Sequence, residues 1–140
     1  MNMSDFAVRL MRTESVSDHP DADCSGLSVV KIAGVSVISS KVDGAPRYKQ
    51  GELVAYIPEA AILPEWLLKR LDFWDDAKNK GTLAGGKGNR LKARNFKGVL
   101  SEGMMIQLED DGTLLVDGVS HTVTEGQDVT DLVGVTKWTP

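Results

Sequence analysis

The sequence of 140 residues contains one cysteine and two histidines, and it has no long apolar run. Cys24 has no second cysteine to pair with, and together with His19 and His121 it cannot supply the four ligands of a structural zinc site. The absence of about 18 consecutive apolar residues argues against a membrane-spanning helix, and the N-terminus lacks the layout of a secretory signal. We therefore expect one cytoplasmic domain without membrane contact, whose core forms without disulfides or zinc.

Acidic residues are missing from one stretch of an otherwise acidic chain. The whole sequence has 16 Lys plus Arg against 20 Asp plus Glu, for a formal net charge of -4. Residues 78–97 contain no Asp or Glu and seven cations, which are Lys78, Lys80, Lys87, Arg90, Lys92, Arg94 and Lys97. A local positive surface of this kind attracts a polyanion to one place. The alternative is a solvated, disordered basic loop.

Short β-branched runs separated by glycines predict an all-β protein. The predicted strands are residues 7–13, 27–32, 35–41, 53–57 and 103–108. A loop is predicted at residues 14–23, a short helix at 65–74, a hairpin with an Asp117-Gly118 turn at 114–123 and one helical turn at 127–133. No strand is followed by the long crossover that a parallel pair needs. We therefore predict a five-stranded OB-type barrel, with the helix and basic segment inserted between strands 4 and 5 and a small C-terminal hairpin.

The basic segment carries the first candidate binding residues. Apolar and basic residues alternate over residues 90–96, which predicts a half-buried strand with Arg90, Lys92 and Arg94 on one face as phosphate contacts. We place Lys97 at the turn beside that face. Glycines in residues 78–89 let the backbone approach a ligand, over which Lys80 and Lys87 would close. The GGKG at residues 85–88 lacks the spacing and the ending of a P-loop.

Other loops extend this candidate footprint. Arg47 and Lys49 add cations, and Tyr48 between them either stacks on a base or packs under the barrel. Ser101 is a candidate phosphate contact, and it has no base partner that would make it a nucleophile. His19 lies in an Asp-rich loop that suggests a structural role. The sequence therefore predicts no catalytic residue and no metal ligand.

Two stretches of the sequence contain longer and more specific motifs. HPDAD at residues 19–23, followed by an apolar strand, and FKGVLSEGM at residues 96–104 occur in this order. They resemble the ends of the tRNA-binding type of OB domain.

The middle of the chain is similar to a narrower group. YKQGELVAYIPE at residues 48–59, GNRLKAR at 88–94 and DVTDLVGVTKW at 128–138 resemble the N-terminal OB domain of ATP-dependent RNA ligases, in which the OB domain precedes a nucleotidyltransferase domain. The resemblance implies a nucleic-acid-binding OB domain at residues 1–134 that is a monomer. Residues 135–140 would then begin a linker to a catalytic domain that is absent from this chain. In that family, ATP and a divalent metal belong to the catalytic domain, and this domain holds no cofactor.

The function that follows is binding of RNA, or of a nicked duplex with an RNA 3′-OH end, for sealing by the nucleotidyltransferase domain in cis. The chain has no adenylation motif in a suitable setting, because Lys78-Asn79-Lys80-Gly81 lacks a downstream carboxylate cluster. Two alternatives stay open: a tRNA-binding OB module, alone or appended to a synthetase, and a barrel that binds another protein.

Overall fold

The computed structural model describes residues 6–140, and in that part of the chain the protein is mostly β. The strands are β1 Arg9–Arg12, β2 Ser15–Asp18, β3 Leu27–Ile32, β4 Val35–Ser40, β5 Leu53–Ile57, β6 Ala61–Ile62, β7 Trp74–Asp75, β8 Lys80–Gly81, β9 Arg94–Phe96, β10 Val99–Ser101, β11 Met104–Gln107, β12 Leu114–Val116, β13 Val119–His121 and β14 Thr136–Lys137. The helices are α1 Glu65–Arg70 and α2 Thr130–Val133.

Two three-stranded antiparallel sheets form the body of the domain. One has the order β2-β3-β4 and the other the order β1-β5-β11. Residues 27–32 and 53–57 have the predicted bounds, and the strands predicted at 7–13, 35–41 and 103–108 are present in shorter form. The loop predicted at 14–23 was wrong at Ser15–Asp18, which pairs with β3. This strand has one apolar residue, Val16, so its extended conformation is stabilised more by hydrogen bonds to β3 than by burial of side chains.

Strand β5 is the wall shared by two hydrophobic clusters. Its side chains alternate: Ala55 and Ile57 belong to the cluster that includes the buried leucines of α1, whereas Val54 and Tyr56 belong to the cluster on β3 and β4. Both faces of β5 are thus covered, and four of its five residues are buried. A strand buried on both faces reads as a continuous apolar run, which is why the sequence located it so well.

Helix α1 ends four residues before the predicted position 74. Asp72 has a positive φ of 65°, its N–H donates to the Lys69 carbonyl, and the N–H of Phe73 donates to the Leu68 carbonyl. This pair of hydrogen bonds is the Schellman arrangement that closes a helix. Trp74 therefore leaves the helix and pairs in β7 with Gly81 of β8.

The basic segment is a strand only in part, so the prediction of one strand over residues 90–96 was wrong. β9 begins at Arg94 and pairs with β10 through a two-residue turn at Lys97 and Gly98. Residues 90 and 91 are held instead by isolated backbone contacts: Arg90 and Ala84 exchange two hydrogen bonds, and the N–H of Leu91 donates to the Ala61 carbonyl. The alternation of apolar and basic residues does reflect burial, since Leu91 is buried, but residues 90–93 do not pair continuously with a neighbouring strand.

The C-terminal hairpin has the predicted form, since Asp117 and Gly118 both have positive φ, as a type I′ turn requires. The helical turn predicted at 127–133 is present as α2. Val135 is buried, β14 pairs with β6, and the N–H of Trp138 donates to the Ala60 carbonyl. The boundary at residue 135 remains a prediction.

The described strands do not form one closed ring of paired strands, and the five-stranded OB barrel stays a prediction. β4 and β10 lie side by side and are joined by the side chain of Ser101, whose Oγ accepts a hydrogen bond from the Ile38 N–H at 2.9 Å. The N–H of Glu102 donates to the Ser36 carbonyl at 2.8 Å. Among residues 6–140, neither helix is long and apolar enough to span a membrane.

Two glycines in the first half of the basic segment, Gly81 and Gly88, allow a close backbone approach. A Cβ on Gly81 would lie 2.1 Å from the Gly88 carbonyl oxygen, whereas a Cβ on Gly86 would meet no atom within 4 Å. We predict that Gly81→Ala lowers the free energy of unfolding by about 2 kcal/mol or more, because backbone must move. Gly86→Ala, the matched control, should change it by less than about 0.5 kcal/mol. Urea denaturation measures both, and equal stabilities would contradict the packing described.

Candidate nucleic-acid interface

A groove of about 650 Å³ separates β3 and β4 from the basic segment. Its lining contains four of the predicted phosphate contacts, Arg90, Lys92, Arg94 and Ser101, and no Asp or Glu. The other lining residues include apolar side chains, among them Leu27, Ile38, Phe73, Phe96 and Met104. A lining that combines apolar side chains with cations suits a chain that carries both flat bases and phosphates.

Arg90 is held at its backbone and its side chain. Its main chain exchanges hydrogen bonds with Ala84, and its guanidinium carbon lies 4.2 Å from the ring centroid of Trp138. Arg94 has a similar aromatic neighbour in Phe96, at 5.2 Å. Stacking of this kind limits the rotamers of a guanidinium while leaving its N–H donors available.

Lys97 and Ser101 lie on the hairpin of β9 and β10, with different surroundings. Lys97 is exposed at the turn, and its Nζ lies 3.3 Å from Oδ2 of Asp23. Ser101 lines the groove, but it is buried and its hydroxyl accepts the hydrogen bond from Ile38. The structure thus gives Ser101 a role in joining two strands, and its contact with phosphate stays a prediction.

His19 fastens this hairpin to the loop that carries the HPDAD sequence. The ring is buried, and its Nδ1 accepts a hydrogen bond from the Asp21 N–H at 3.0 Å. Nε2 therefore carries the proton and donates to the carbonyl of Phe96, at 2.6 Å. The structural role expected for His19 is what the geometry shows.

The packing around Gly103, in the FKGVLSEGM stretch, leaves no room for a side chain. A Cβ there would lie 2.6 Å from the Ile57 carbonyl oxygen and 2.7 Å from the ring of Tyr56. The Tyr56 hydroxyl donates to the Glu102 carbonyl at 2.7 Å, and burial raises the pKa of Tyr56 to about 12, so the donor stays protonated. This contact fixes the turn between β10 and β11.

Lys80 and Lys87 lie away from the basic groove. Both line a separate depression of about 420 Å³ beside α1 and Trp74. Their predicted closing over a ligand in the groove would need the loop to move, because in this structure backbone contacts between Gly81 and Gly88 hold it.

Arg47, Tyr48 and Lys49 occupy the loop between β4 and β5. Arg47 and Lys49 are exposed and line a broad depression of about 790 Å³ that also carries Glu109 and Asp110. The Tyr48 ring is 7% exposed and packs in the cluster on β3 and β4. Of the two alternatives for Tyr48, the structure thus shows packing rather than an exposed stacking platform.

Sequence reasoning missed three residues that the fold brings to this surface. Phe73 and Met104 line the groove, and Arg70 lines the adjoining depression. The position of Phe73 depends on where α1 ends. Within residues 6–140 no group of three or more His, Cys, Asp or Glu is placed to hold a metal ion.

We predict that His19→Ala lowers the free energy of unfolding by about 2 kcal/mol, because it leaves the Asp21 N–H and the Phe96 carbonyl without partners. His19→Gln should lose less, since its amide keeps a donor and an acceptor. Urea denaturation gives the stabilities, and amide hydrogen exchange should show faster opening of β9 and β10 in the alanine variant. Unchanged exchange in that hairpin would show that His19 does not fasten it.

No family model and no curated protein matches the chain. Solved structures of a Naegleria gruberi RNA ligase match its fold: a variant with ATP and Mn has a TM-score of 0.67 and 19% identity over 96% of this chain. A variant with AMP and Mn has a TM-score of 0.68 at 19% identity, and the ligase with PPi has 0.66 at 17%, each again over 96% of this chain. The chain spans only 35% to 36% of those chains. At these identities, the shared property is the fold of that part of the ligase.

Proposed function

We propose that this chain is the nucleic-acid-binding domain, of OB type, of an RNA ligase. It would grip RNA, or a nicked duplex with an RNA 3′-OH end, while an adjoining nucleotidyltransferase domain seals the break. The observation that carries the proposal is the basic groove, in which Arg90, Lys92 and Arg94 converge and no carboxylate is present. The similarity of the fold to about a third of an RNA ligase supports the same assignment.

The groove would act by positioning. Arginine can fork onto two phosphate oxygens, and lysine contributes a mobile point charge. Arg90 and Arg94 each lie against an aromatic ring, so they lose less side-chain freedom on binding than unsupported cations would. A strand held in fixed register brings its reactive end to a catalytic domain and lowers the entropic part of the barrier.

ATP and a divalent metal would belong to the catalytic domain. The Lys78-Asn79-Lys80-Gly81 stretch does not fit an adenylation site here, because the described residues bring no cluster of metal-ligating side chains to it. We therefore derive no bond-making step in this chain and assign it binding and orientation of the nucleic acid.

Fluorescence anisotropy across a salt series tests the proposal. The probes are a nicked duplex with RNA on the 3′-OH side, the same duplex unbroken, single-stranded RNA and a tRNA. Tighter binding of the single-stranded RNA or the nicked duplex, with a steep salt dependence, supports a ligase module. Tighter binding of the tRNA would support the tRNA-binding alternative instead, and no binding to any probe would overturn the proposal in favour of a protein partner.

We predict that Arg90→Ala combined with Arg94→Ala weakens RNA binding about tenfold or more. Each lost phosphate contact should also flatten the slope of log affinity against log salt by about one. The matched control is Arg12→Ala with Lys69→Ala, which removes two cations that pair with Glu125 and Glu65 outside the groove. Equal affinities and slopes for the two double variants would rule out the groove as the binding site.

A further inference from the structure

Another depression, different from the two beside Arg47 and beside Lys80, adjoins the basic groove. It measures about 390 Å³ and shares four lining residues with the groove, which are Ile38, Ser40, Phe73 and Met104. Besides these four shared residues, the lining of the depression includes Arg47, Tyr48 and Arg70. Phe73 and Met104 thus border both the groove that contains Arg94 and the depression that contains Arg47 and Arg70.

Arg47 and Arg70 come from separate elements, the loop before β5 and the last residue of α1. Both are exposed, and neither makes an ion pair with another residue in the range 6–140. Burial raises the pKa of Tyr48, the positive charges of Arg47 and Arg70 act against that rise, and the Glu52 carboxylate adds to it. Both guanidinium groups thus lie near the same phenol.

Tyr48 supplies a third donor. No hydrogen bond to its hydroxyl is present among the described residues, although the ring is 7% exposed. Tyr48 itself lines the depression. A raised pKa keeps this hydroxyl protonated at neutral pH, where it can donate.

The loop that carries Arg47 and Tyr48 is held in place before any ligand arrives. Nε2 of Gln107 donates to the Arg47 carbonyl at 3.1 Å and to Oε2 of Glu52 at 2.9 Å. The Thr13 hydroxyl donates to the Lys49 carbonyl and accepts from the Glu52 N–H. The other Glu52 oxygen accepts from the Lys49 N–H, so this carboxylate is occupied by neutral donors.

One further carboxylate, Asp72, lines the depression and is exposed. The two arginines give the lining of this depression one positive charge in excess, and both also line the broad depression that carries Glu52, Glu109 and Asp110. Two guanidinium groups and one phenolic hydroxyl offer only donors, which suits a phosphate, whose oxygens accept from several directions.

We propose that Arg47, Arg70 and the hydroxyl of Tyr48 form a phosphate-binding site, distinct from the basic groove and continuous with it. Its ligand is a phosphate group, either of a nucleic-acid strand that also occupies the groove or of a free phosphate. The first source rests on the proposed function, whereas binding of phosphate itself does not depend on it.

The direct test is titration of the chain with inorganic phosphate at constant ionic strength, followed by amide NMR, with chloride as the reference anion. We expect shifts at residues 47–49 and 70–72. Arg47→Gln with Arg70→Gln should weaken phosphate binding about tenfold, because both guanidinium forks are lost. Tyr48→Phe should weaken it about threefold and keep the fold, since its hydroxyl has no partner to lose.

The matched control is Lys69→Gln, which removes one charge from the same helix at a residue paired with Glu65. It should bind phosphate within twofold of the parent chain. Phosphate shifts confined to other residues, or equal affinities for the double variant and Lys69→Gln, would overturn the site.

Oligonucleotides then separate the two sources of the phosphate. Arg47→Gln with Arg70→Gln should weaken single-stranded RNA about tenfold and flatten its salt slope, as expected when phosphate contacts are removed. Phosphate binding without any RNA binding would leave the site standing as one for a free phosphate and overturn the proposed function. RNA binding that depends on Arg90 and Arg94, without phosphate shifts at residues 47–49 and 70–72, would do the reverse.

Discussion

Backbone hydrogen bonds to β6 hold the basic segment in a defined shape, and the candidate surface depends on them. The N–H of Leu91 donates to the Ala61 carbonyl, and the Leu91 carbonyl accepts from the Ala60 N–H. The N–H of Leu63 donates in turn to the Asn89 carbonyl. Seven cations in twenty residues repel one another, and the segment buries few side chains of its own. Pairing to a neighbouring strand, with Leu91 in the core, fixes the positions of Arg90 and Lys92 despite that repulsion.

The same constraint links the groove to the end of the chain. β14 pairs with both residues of β6, and Trp138 follows β14 with an N–H that donates to the Ala60 carbonyl. This places the Trp138 ring against the Arg90 guanidinium. A cation of the groove and the C-terminal residues are therefore organised by one two-residue strand, and a change in either would reach the other through β6.

The sequence predicted elements whose cause is local and missed those whose cause is tertiary. β5 and the hairpin at Asp117-Gly118 were located because apolar runs and turn residues suffice to specify them. The strand Ser15–Asp18 was not predicted, since its extended conformation depends on pairing with β3. Helix α1 was predicted too long, because an aspartate at position 72 does not by itself indicate the left-handed conformation that ends the helix. The cations of the groove lie close in sequence and could be found together, whereas Arg70 joins Arg47 only through the packing of α1.

The two positive regions differ in ways that bear on what each contributes. The basic groove has no carboxylate in its lining, so its attraction for phosphates is unopposed. The region of Arg47 and Arg70 faces Asp72, which reduces the general attraction for polyanions while leaving directed hydrogen bonds in place. Between them, Phe73 and Met104 offer apolar area suited to bases. Affinity would then arise mainly at Arg90, Lys92 and Arg94, and the second region would fix the register of a strand already bound.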